Sequence, residues 1–180
     1  MELNVYIAGK VSKESVFGTH HWRDAVCEQL AKISGHDIIN LDPAKDSQNV
    51  SLDESNGQLI FGRDCYMIKN ADIVIVMLTD DISVGGSQEM LIAKYFHKSL
   101  IGIAARGGKF VKDEKEMRGK MFKNWIHPFV LIPCDVLVNS VEEAGEYLRT
   151  WQANTSASVK DLSIIDQSIA YYEATHLRYE

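Results

Sequence analysis

The fold is decided by residues 72–89, which read DIVIVMLTDDISVGGSQE. Asp72 is followed by six apolar residues, most of them β-branched, and this run predicts a strand that is buried on both faces. Gly85-Gly86 and Ser87 then predict a helix that begins at Ser87, with Glu89 in its first turn. Because ligands bind at the carboxyl ends of the strands in open α/β sheets, Glu89 is the first candidate for a functional carboxylate.

Composition and charge limit the classes of protein to consider. The chain has 180 residues, of which 46% are hydrophobic and 24% are charged, as in a globular domain with one core. Its net charge of −6, spread along the chain, argues against a nucleic-acid polymer or a membrane surface as a partner. The three cysteines are widely spaced, and no apolar stretch has the length of a signal core or a membrane span. We therefore expect a reduced, cytoplasmic protein.

Strand and helix patterns alternate along the chain. Apolar runs predict strands at 3–9, 37–41, 72–78 and 100–104, with a fifth at either 130–132 or 136–138. Helical spacing predicts helices from a cap at Thr19 to Gly35, and over 58–70, 87–98, 140–151 and 159–178. Such alternation implies parallel strands with helices on both faces. We predict a flavodoxin/Rossmann-like, three-layer α/β fold around a central, mostly parallel five-stranded sheet.

Two segments lie outside this alternation. Residues 44–57 have no usable period and predict a surface loop. Residues 105–129 are glycine-rich and basic, then aromatic, and are too long for a plain connection, which favours a lid or a subunit contact.

We expect residues 1–151 to form the α/β domain and residues 152–180 to be a linker and an appended C-terminal helix. That helix has one apolar stripe, made of Leu162, Ile165, Ile169 and Tyr172. Because an appended amphipathic helix often packs on a neighbouring subunit, we expect a homo-oligomer.

Signatures of cofactor and metal sites are absent from the sequence. Gly9, after the first strand, is solitary, so the glycines that a dinucleotide needs for close approach of its pyrophosphate are missing. The phosphate-loop signature is missing as well, and the histidines and cysteines show no metal-ligand spacing. We therefore expect neither a cofactor nor a metal.

Two carboxylates remain as candidates for chemistry. Asp64 lies on the helix that leads into the central strand and Glu89 on the helix that leaves it, so both can reach the same sheet edge. Two acids in one crevice suit the cleavage of a glycosidic bond, in which one attacks the anomeric carbon and the other handles a proton. The alternative interpretation is that Asp64 is a solvated residue paired with Arg63 or Lys69. For Glu89, the alternative interpretation is an acid that only interacts favourably with the helix dipole, which would lower its pKa.

The motifs occur in a specific order. They are Val5-Tyr6-Ile7-Ala8-Gly9, Asp64 with 71–76 (ADIVIV), and Ser83-x-Gly85-x-x-x-Glu89 leading to Ala93 and 98–102 (KSLIG). In this order, over residues 3–104, the chain resembles the nucleoside 2-deoxyribosyltransferase family. The resemblance implies that Glu89 is the nucleophile of a covalent deoxyribosyl intermediate and that Asp64 protonates the departing base. It also implies that Tyr6 orients the nucleophile or contacts the sugar.

Ser83 departs from the pattern of that family. The transferases usually have an aspartate six residues before the nucleophile, whereas the related 2'-deoxynucleoside 5'-monophosphate N-hydrolases have small hydroxyl residues. A serine and backbone N–H groups at a helix start favour a phosphate, although Asp80 and Asp81 nearby would restore negative charge. The alternative for Ser83 is a loop serine that caps nothing. The choice between nucleoside and nucleotide stays open at this stage.

Other candidates for substrate binding lie near the same edge. They are Gly9, Trp22, Asp81, Ser83, Gly85 and Ser87. A base could stack on Trp22, and Arg23 beside it could meet a phosphate. The alternative is that Trp22 packs in the core, because it fits the apolar stripe of its helix.

The leading hypothesis is an enzyme that cleaves the N-glycosidic bond of a 2'-deoxynucleoside or its 5'-monophosphate. It would act by a retaining double displacement on Glu89 and pass the sugar to another base or to water, so its partner would be a small-molecule nucleoside or nucleotide. The alternatives are a nucleotide-binding sensor or regulatory module without turnover, and a generic phosphate-sugar binding protein.

Overall fold

The computed structural model describes residues 1–10, 22–46, 55–78, 82–151 and 159–177. The strands are β1 (Glu2–Ala8), β2 (Asp37–Asn40), β3 (Ile73–Met77), β4 (Ser99–Ile103), β5 (Val111–Met117), β6 (Lys120–Ile126) and β7 (Val136–Val138). The helices are α1 (Trp22–Ser34), α2 (Pro43–Asp46), α3 (Gly57–Asn70), α4 (Val84–Tyr95), α5 (Pro128–Leu131), α6 (Val141–Thr150) and α7 (Ser163–Thr175).

Five strands form one parallel sheet in the order β2-β1-β3-β4-β7. The central strands β3 and β4 are buried throughout, as the β-branched run of residues 73–76 predicted. Their side chains alternate between two apolar cores. The predicted α/β fold, with its five-stranded sheet and C-terminal helix, is confirmed.

Helix α1 packs closely on α6 on one face of the sheet. A Cβ at Gly145 would lie 2.8 Å from Cβ of Ile33, so only glycine allows this approach. On the sheet itself, the strand order reverses between β1 and β3, which leaves a crevice beyond their carboxyl ends. In open α/β sheets, ligands bind in a crevice of this kind.

The structure decides between the two candidates for the fifth strand and corrects the predicted loop at 44–57. Residues 130–132 do not form a strand, because Pro128 begins the short helix α5, and the fifth strand is Val136–Val138. Residues 105–129 contain the antiparallel hairpin β5-β6. The predicted loop at 44–57 includes most of α2, and its residues 47–54 lie outside the described part of the chain. The predicted cap Thr19 and the linker 152–158 also lie outside it.

The C-terminal helix exposes much of its predicted apolar stripe. Ile165, Ile169 and Tyr172 are 47%, 51% and 52% exposed, whereas Ile164, outside the stripe, is the buried residue of α7. Helix α7 therefore buries Ile164 and leaves most of the predicted stripe exposed. No helix in the described ranges has both the length and the apolar character needed to cross a membrane.

A charged cluster fastens the segment before α7 to the domain. Fully buried Lys94 donates from Nζ to Asp135 and, over 2.9 Å, to the carbonyl oxygen of Lys98. Asp135 also accepts from the backbone nitrogens of Leu100 at 2.7 Å and Lys160 at 2.8 Å. Nζ of Lys160 donates to the carbonyls that follow α5, including that of Cys134 at 2.6 Å. We call Lys94, Asp135 and Lys160 the anchoring cluster.

Candidate active site

A tyrosine and a glutamate meet beside the carboxyl half of β1. Tyr6 is fully buried on β1, and its hydroxyl donates to Oε1 of Glu89 on α4 over 2.7 Å. Tyr6 pairs in register with Val74 of β3, so the contact lies at the reversal of strand order. The structure therefore brings together two of the three predicted catalytic residues.

The helix that carries Glu89 starts earlier than predicted. Ser83 is its N-cap: the Ser83 hydroxyl oxygen accepts from the backbone nitrogen of Gly86 over 3.0 Å, and α4 begins at Val84. The prediction of a start at Ser87 was wrong, because a capping serine lies one turn upstream, and Glu89 is in the second turn. The alternative that Ser83 caps nothing was also wrong.

Glycines keep the start of α4 open around the carboxylate. A Cβ at Gly85 would lie 4.0 Å from both Oε1 of Glu89 and the hydroxyl oxygen of Ser83. One at Gly86 would lie 4.0 Å from the backbone nitrogen of Gly9, which follows β1. Gly9, Ser83 and Gly85, three of the predicted binding residues, thus lie close to the Tyr6–Glu89 pair.

Burial dominates the electrostatics of the pair. It raises the pKa of Glu89, and Asp64 raises it further, while the hydrogen bond from Tyr6 and the charges of Arg23 and Arg63 lower it. The alternative considered for Glu89, a pKa lowered by the helix dipole, was wrong, because the carboxylate is desolvated and stands beyond the first turn. Burial, Glu89 and Asp64 also raise the pKa of Tyr6, so its hydroxyl stays a neutral donor.

Asp64 is half-buried on α3 and has two kinds of neighbour. Nε and Nη2 of Arg63 both lie 2.8 Å from its Oδ1, so the pairing considered as the alternative is present. Asp64 also raises the pKa of both Tyr6 and Glu89 through its negative charge. Both Arg63 contacts use Oδ1 of Asp64.

Three further residues act on the pair. From the sequence, Arg23 was considered for a phosphate contact and Arg63 as a partner of Asp64, and Cys65 was not considered. Arg23 is buried and its charge acts on both Tyr6 and Glu89, and Arg63 contacts Asp64. Cys65 is half-buried, and its pKa is raised by burial, then by Asp64 and Glu89. A signal for Arg23 existed: it occupies a helical stripe with Val26, Cys27 and Leu30, where a charge is unexpected.

Two other predicted binding residues, Trp22 and Ser87, have different surroundings. Trp22 is 5% exposed, and a Cβ at Gly9 would lie 2.8 Å from its ring, which supports core packing over base stacking. Ser87 donates to the carbonyl oxygen of Val84 over 2.8 Å and, two residues from Glu89, lies on another face of α4. Asp81 lies outside the described residues. Within the ranges that are described, no three His, Cys, Asp or Glu side chains are grouped to hold a metal ion.

No protein-family model matches the sequence, and no curated protein matches it. The structure is similar to a 2-deoxyribosyltransferase from the psychrotolerant bacterium Bacillus psychrosaccharolyticus, with 15% identity, a TM-score of 0.52 and coverage of 88% of this chain and 98% of that one. This chain has the fold of that transferase. It is also similar to a conserved protein from Enterococcus faecalis V583, with 12% identity, a TM-score of 0.57 and coverage of 83% and 98%. A CMP N-glycosidase of Clostridium botulinum matches at 15% identity and a TM-score of 0.45, with coverage of 82% and 99%.

Proposed function

We propose that this protein belongs to the nucleoside 2-deoxyribosyltransferase-like enzymes and cleaves the N-glycosidic bond of a 2'-deoxynucleoside or its 5'-monophosphate. The observation that carries the proposal is the hydrogen bond from buried Tyr6 to Glu89 beside a glycine-lined helix start. Asp64 adds a second carboxyl group within electrostatic reach of that pair. The fold shared with a 2-deoxyribosyltransferase supports the proposal.

In the first step Glu89 acts as the nucleophile. Its Oε1 is held by Tyr6, which leaves Oε2 to attack the anomeric carbon of the sugar. The new carbon–oxygen bond forms as the carbon–nitrogen bond to the base breaks. The base nitrogen takes a proton from Asp64, so a neutral base leaves and a glycosyl ester remains on Glu89.

In the second step the ester is resolved. Water or the nitrogen of a second base attacks the anomeric carbon from the face that the first base left, and Asp64 takes the proton from this nucleophile. The bond to Glu89 breaks and returns its carboxylate. Two displacements at one carbon retain the configuration of the sugar.

The start of α4 favours a 5'-monophosphate as the substrate. The hydroxyl oxygen of Ser83 accepts from Gly86, which leaves its proton to donate to a phosphate oxygen. The first backbone N–H groups of a helix lack intrahelical partners and attract anions. Gly85 has no side chain to block this approach.

A substrate panel tests the proposal. Purine and pyrimidine deoxynucleosides, with and without a 5'-phosphate and with and without a second base, are incubated with the protein, and free base is measured by chromatography. We expect base release, faster for monophosphates, and a mass adduct on the Glu89 peptide after treatment with a 2-fluoro sugar analogue. Glu89→Ala as active as the wild type would overturn the mechanism. Ligand binding without base release would favour the sensor.

Ser83→Asp tests the phosphate preference separately. We expect it to slow the reaction of monophosphates more than that of nucleosides, because a carboxylate would repel the phosphate. An equal effect on both substrates would contradict the role of Ser83.

We also propose that the protein self-associates through α7. The exposed Ile165 and Ile169 border a groove of about 730 Å³ between α4, α5 and α7 that does not include Tyr6, Asp64 or Glu89. A second copy would cover this apolar surface. We expect the mass measured by light scattering to fall to that of one chain in the double variant Ile165→Glu, Ile169→Glu, and not in the control Gln167→Glu. An unchanged mass in the double variant would exclude this interface.

A further inference from the structure

Arg23 is a buried charged residue outside the Tyr6–Glu89 pair. Its side chain is on α1, and the residue is 4% exposed. Nε donates to the carbonyl oxygen of Ile7 over 2.9 Å, and Nη2 donates to that of Gly9 over 3.2 Å. Nη1 lies 3.4 Å from Oδ1 of Asp42, which follows β2. One guanidinium thus joins the ends of two strands.

These contacts replace sheet bonds that the neighbouring strand is too short to make. The carbonyl oxygen of Val5 accepts from the backbone nitrogen of Leu41, just after β2, over 2.9 Å. Because alternate residues of a strand point to the same side, the carbonyl of Ile7 points past the end of β2. Arg23 satisfies this carbonyl and that of Gly9, which would otherwise be buried polar groups at a cost. A rigid guanidinium can serve both, whereas a lysine donates from one point.

The positive charge of Arg23 is only partly neutralised. Its contact with Asp42 is long for a charged hydrogen bond, and the same Oδ1 accepts from the backbone nitrogen of Ala44 over 2.9 Å. Its other two described acceptors are neutral carbonyls. The remaining charge lowers the pKa of both Glu89 and Tyr6.

The groups that face Glu89 come from three elements of the described chain. Tyr6 comes from β1, Arg23 from α1, and Asp64 with Arg63 and Cys65 from α3. Arg63 is bound to Asp64, so its charge is shared with that carboxylate. Arg23 is the buried cation of the set.

We propose that Arg23 is a positioning residue of this site, which fixes the end of the strand that carries Tyr6 and supplies the buried positive charge that offsets Glu89. The inference rests on the proposed function, in which Glu89 must be ionised to attack. Arg23 acts through Tyr6 and Glu89 and makes no contact with the substrate.

The charge role predicts shifts of opposite sign in two variants. Arg23→Gln removes the positive charge, so the pKa of Glu89 rises and the acid limb of the pH profile moves to higher pH. Asp42→Asn removes the negative charge that partly neutralises Arg23, so the pKa of Glu89 falls and the limb moves to lower pH. Arg23→Lys keeps the positive charge but loses the planar guanidinium that donates to two carbonyls. It therefore lowers kcat and leaves the acid limb of the pH profile at the wild-type position.

The experiment measures kcat/KM against pH for base release, and the titration of the Glu89 carboxyl carbon by NMR without substrate, assigned with Glu89→Gln. For Arg23→Gln we expect the acid limb of kcat/KM and the midpoint of the Glu89 titration both to move to higher pH by about half a unit or more. This shift lowers the relative activity at acid pH about threefold. Circular dichroism and Tm identify the folded variants. If Arg23→Gln does not fold, the same two measurements are made on Asp42→Asn and Arg23→Lys, and their expected shifts test the proposal.

Two outcomes separate this inference from the proposed function. If folded Arg23→Gln and Asp42→Asn both leave the Glu89 titration at the wild-type position, the charge role of Arg23 is overturned. If no form of the protein releases base but the titration shifts in the two expected directions, the proposed function fails and the role of Arg23 stands.

Discussion

The anchoring cluster and the Tyr6–Glu89 pair both place ionisable groups inside the protein, at opposite ends of the sheet strands. In the anchoring cluster Asp135 accepts from Lys94 and from two backbone nitrogens, and burial lowers the pKa of Lys94 while Asp135 raises it. In the other pair, Glu89 accepts one hydrogen bond from the described residues, and burial raises its pKa. The carboxylate of Asp135 thus has several hydrogen-bond donors, whereas that of Glu89 has one among the described residues.

The difference separates a stabilising role from a reactive one. A buried charge with all its partners holds elements together, and removing one partner leaves the other charge uncompensated. A desolvated carboxylate with a single partner costs stability and keeps an oxygen available for a ligand. We therefore expect substitutions at the two places to have opposite effects on stability and activity.

Glu89→Gln should give the largest effect on activity. The loss of the nucleophile should reduce base release by at least about a thousandfold. The free energy of unfolding of Glu89→Gln should rise rather than fall. An acid with a raised pKa in the folded state binds its proton more tightly there, so wild-type stability falls as pH rises from about 4.3 through that raised pKa. The variant lacks this loss and should be more stable than the wild type at neutral pH.

Urea unfolding at several pH values measures this stability difference. It should disappear below about pH 4, where Glu89 is protonated in both states. Glu114→Gln, on the exposed hairpin, serves as the matched control and should leave both activity and stability unchanged. A Glu89→Gln protein less stable than the wild type at neutral pH would remove the contrast between the two sites.

Lys94→Met should give the largest effect on stability. It leaves Asp135 buried beside backbone donors without its cation, and we expect the free energy of unfolding to fall by about 3–5 kcal/mol. Activity per folded molecule should be retained, because the cluster lies away from the crevice. Chemical denaturation measures the first quantity and active-site titration the second. Lys32→Met, on the exposed side of α1, is the control, and equal losses in both variants would contradict the anchoring role.

Tyr6→Phe should give an intermediate effect. It removes the hydrogen bond that lowers the pKa of Glu89, so that pKa rises and the acid limb of activity moves to higher pH. A hydrogen bond to a charged group contributes about 1.5–3 kcal/mol, so we expect a loss of about tenfold or more at acid pH. A pH-rate profile measures both. A uniform loss at every pH would mean that Tyr6 contacts substrate rather than tuning Glu89.

Cys65 should report the smallest effect. Its raised pKa slows reaction with thiol reagents, and Glu89→Gln removes one of the charges responsible, so labelling should become a few-fold faster. Burial raises the pKa of Cys27 and of Cys134 to about 12, so neither should react in the native protein. Mass spectrometry of labelled peptides follows all three. An unchanged rate at Cys65 would place it beyond the influence of Glu89.

Glu89 was accessible to sequence reasoning because its place depends on local patterns. A β-branched run predicts a buried strand, and parallel strands bring their carboxyl ends to one edge, where Glu89 follows the strand. Tyr6 was implied only by the resemblance to the 2-deoxyribosyltransferase family. The start of α4 was missed because Ser83 and Ser87 are both capping residues, and the choice between them depends on backbone conformation. The buried packing of Trp22 was left undecided for a similar reason, since its stripe position did not reveal that Gly9 would pack against its ring.

The sequence by itself determined the α/β fold and the order of its elements, because periodicity and turn residues act over a few positions. It also identified the two carboxyl groups as candidates. Tertiary structure alone decided which charged groups have all their hydrogen-bond partners. Lys94 contacts Asp135, and Arg23 donates to the carbonyl oxygen of Ile7, only after distant segments pack together. Burial then raised the pKa of Glu89 against the expectation from its helix, since desolvation depends on the whole surrounding fold.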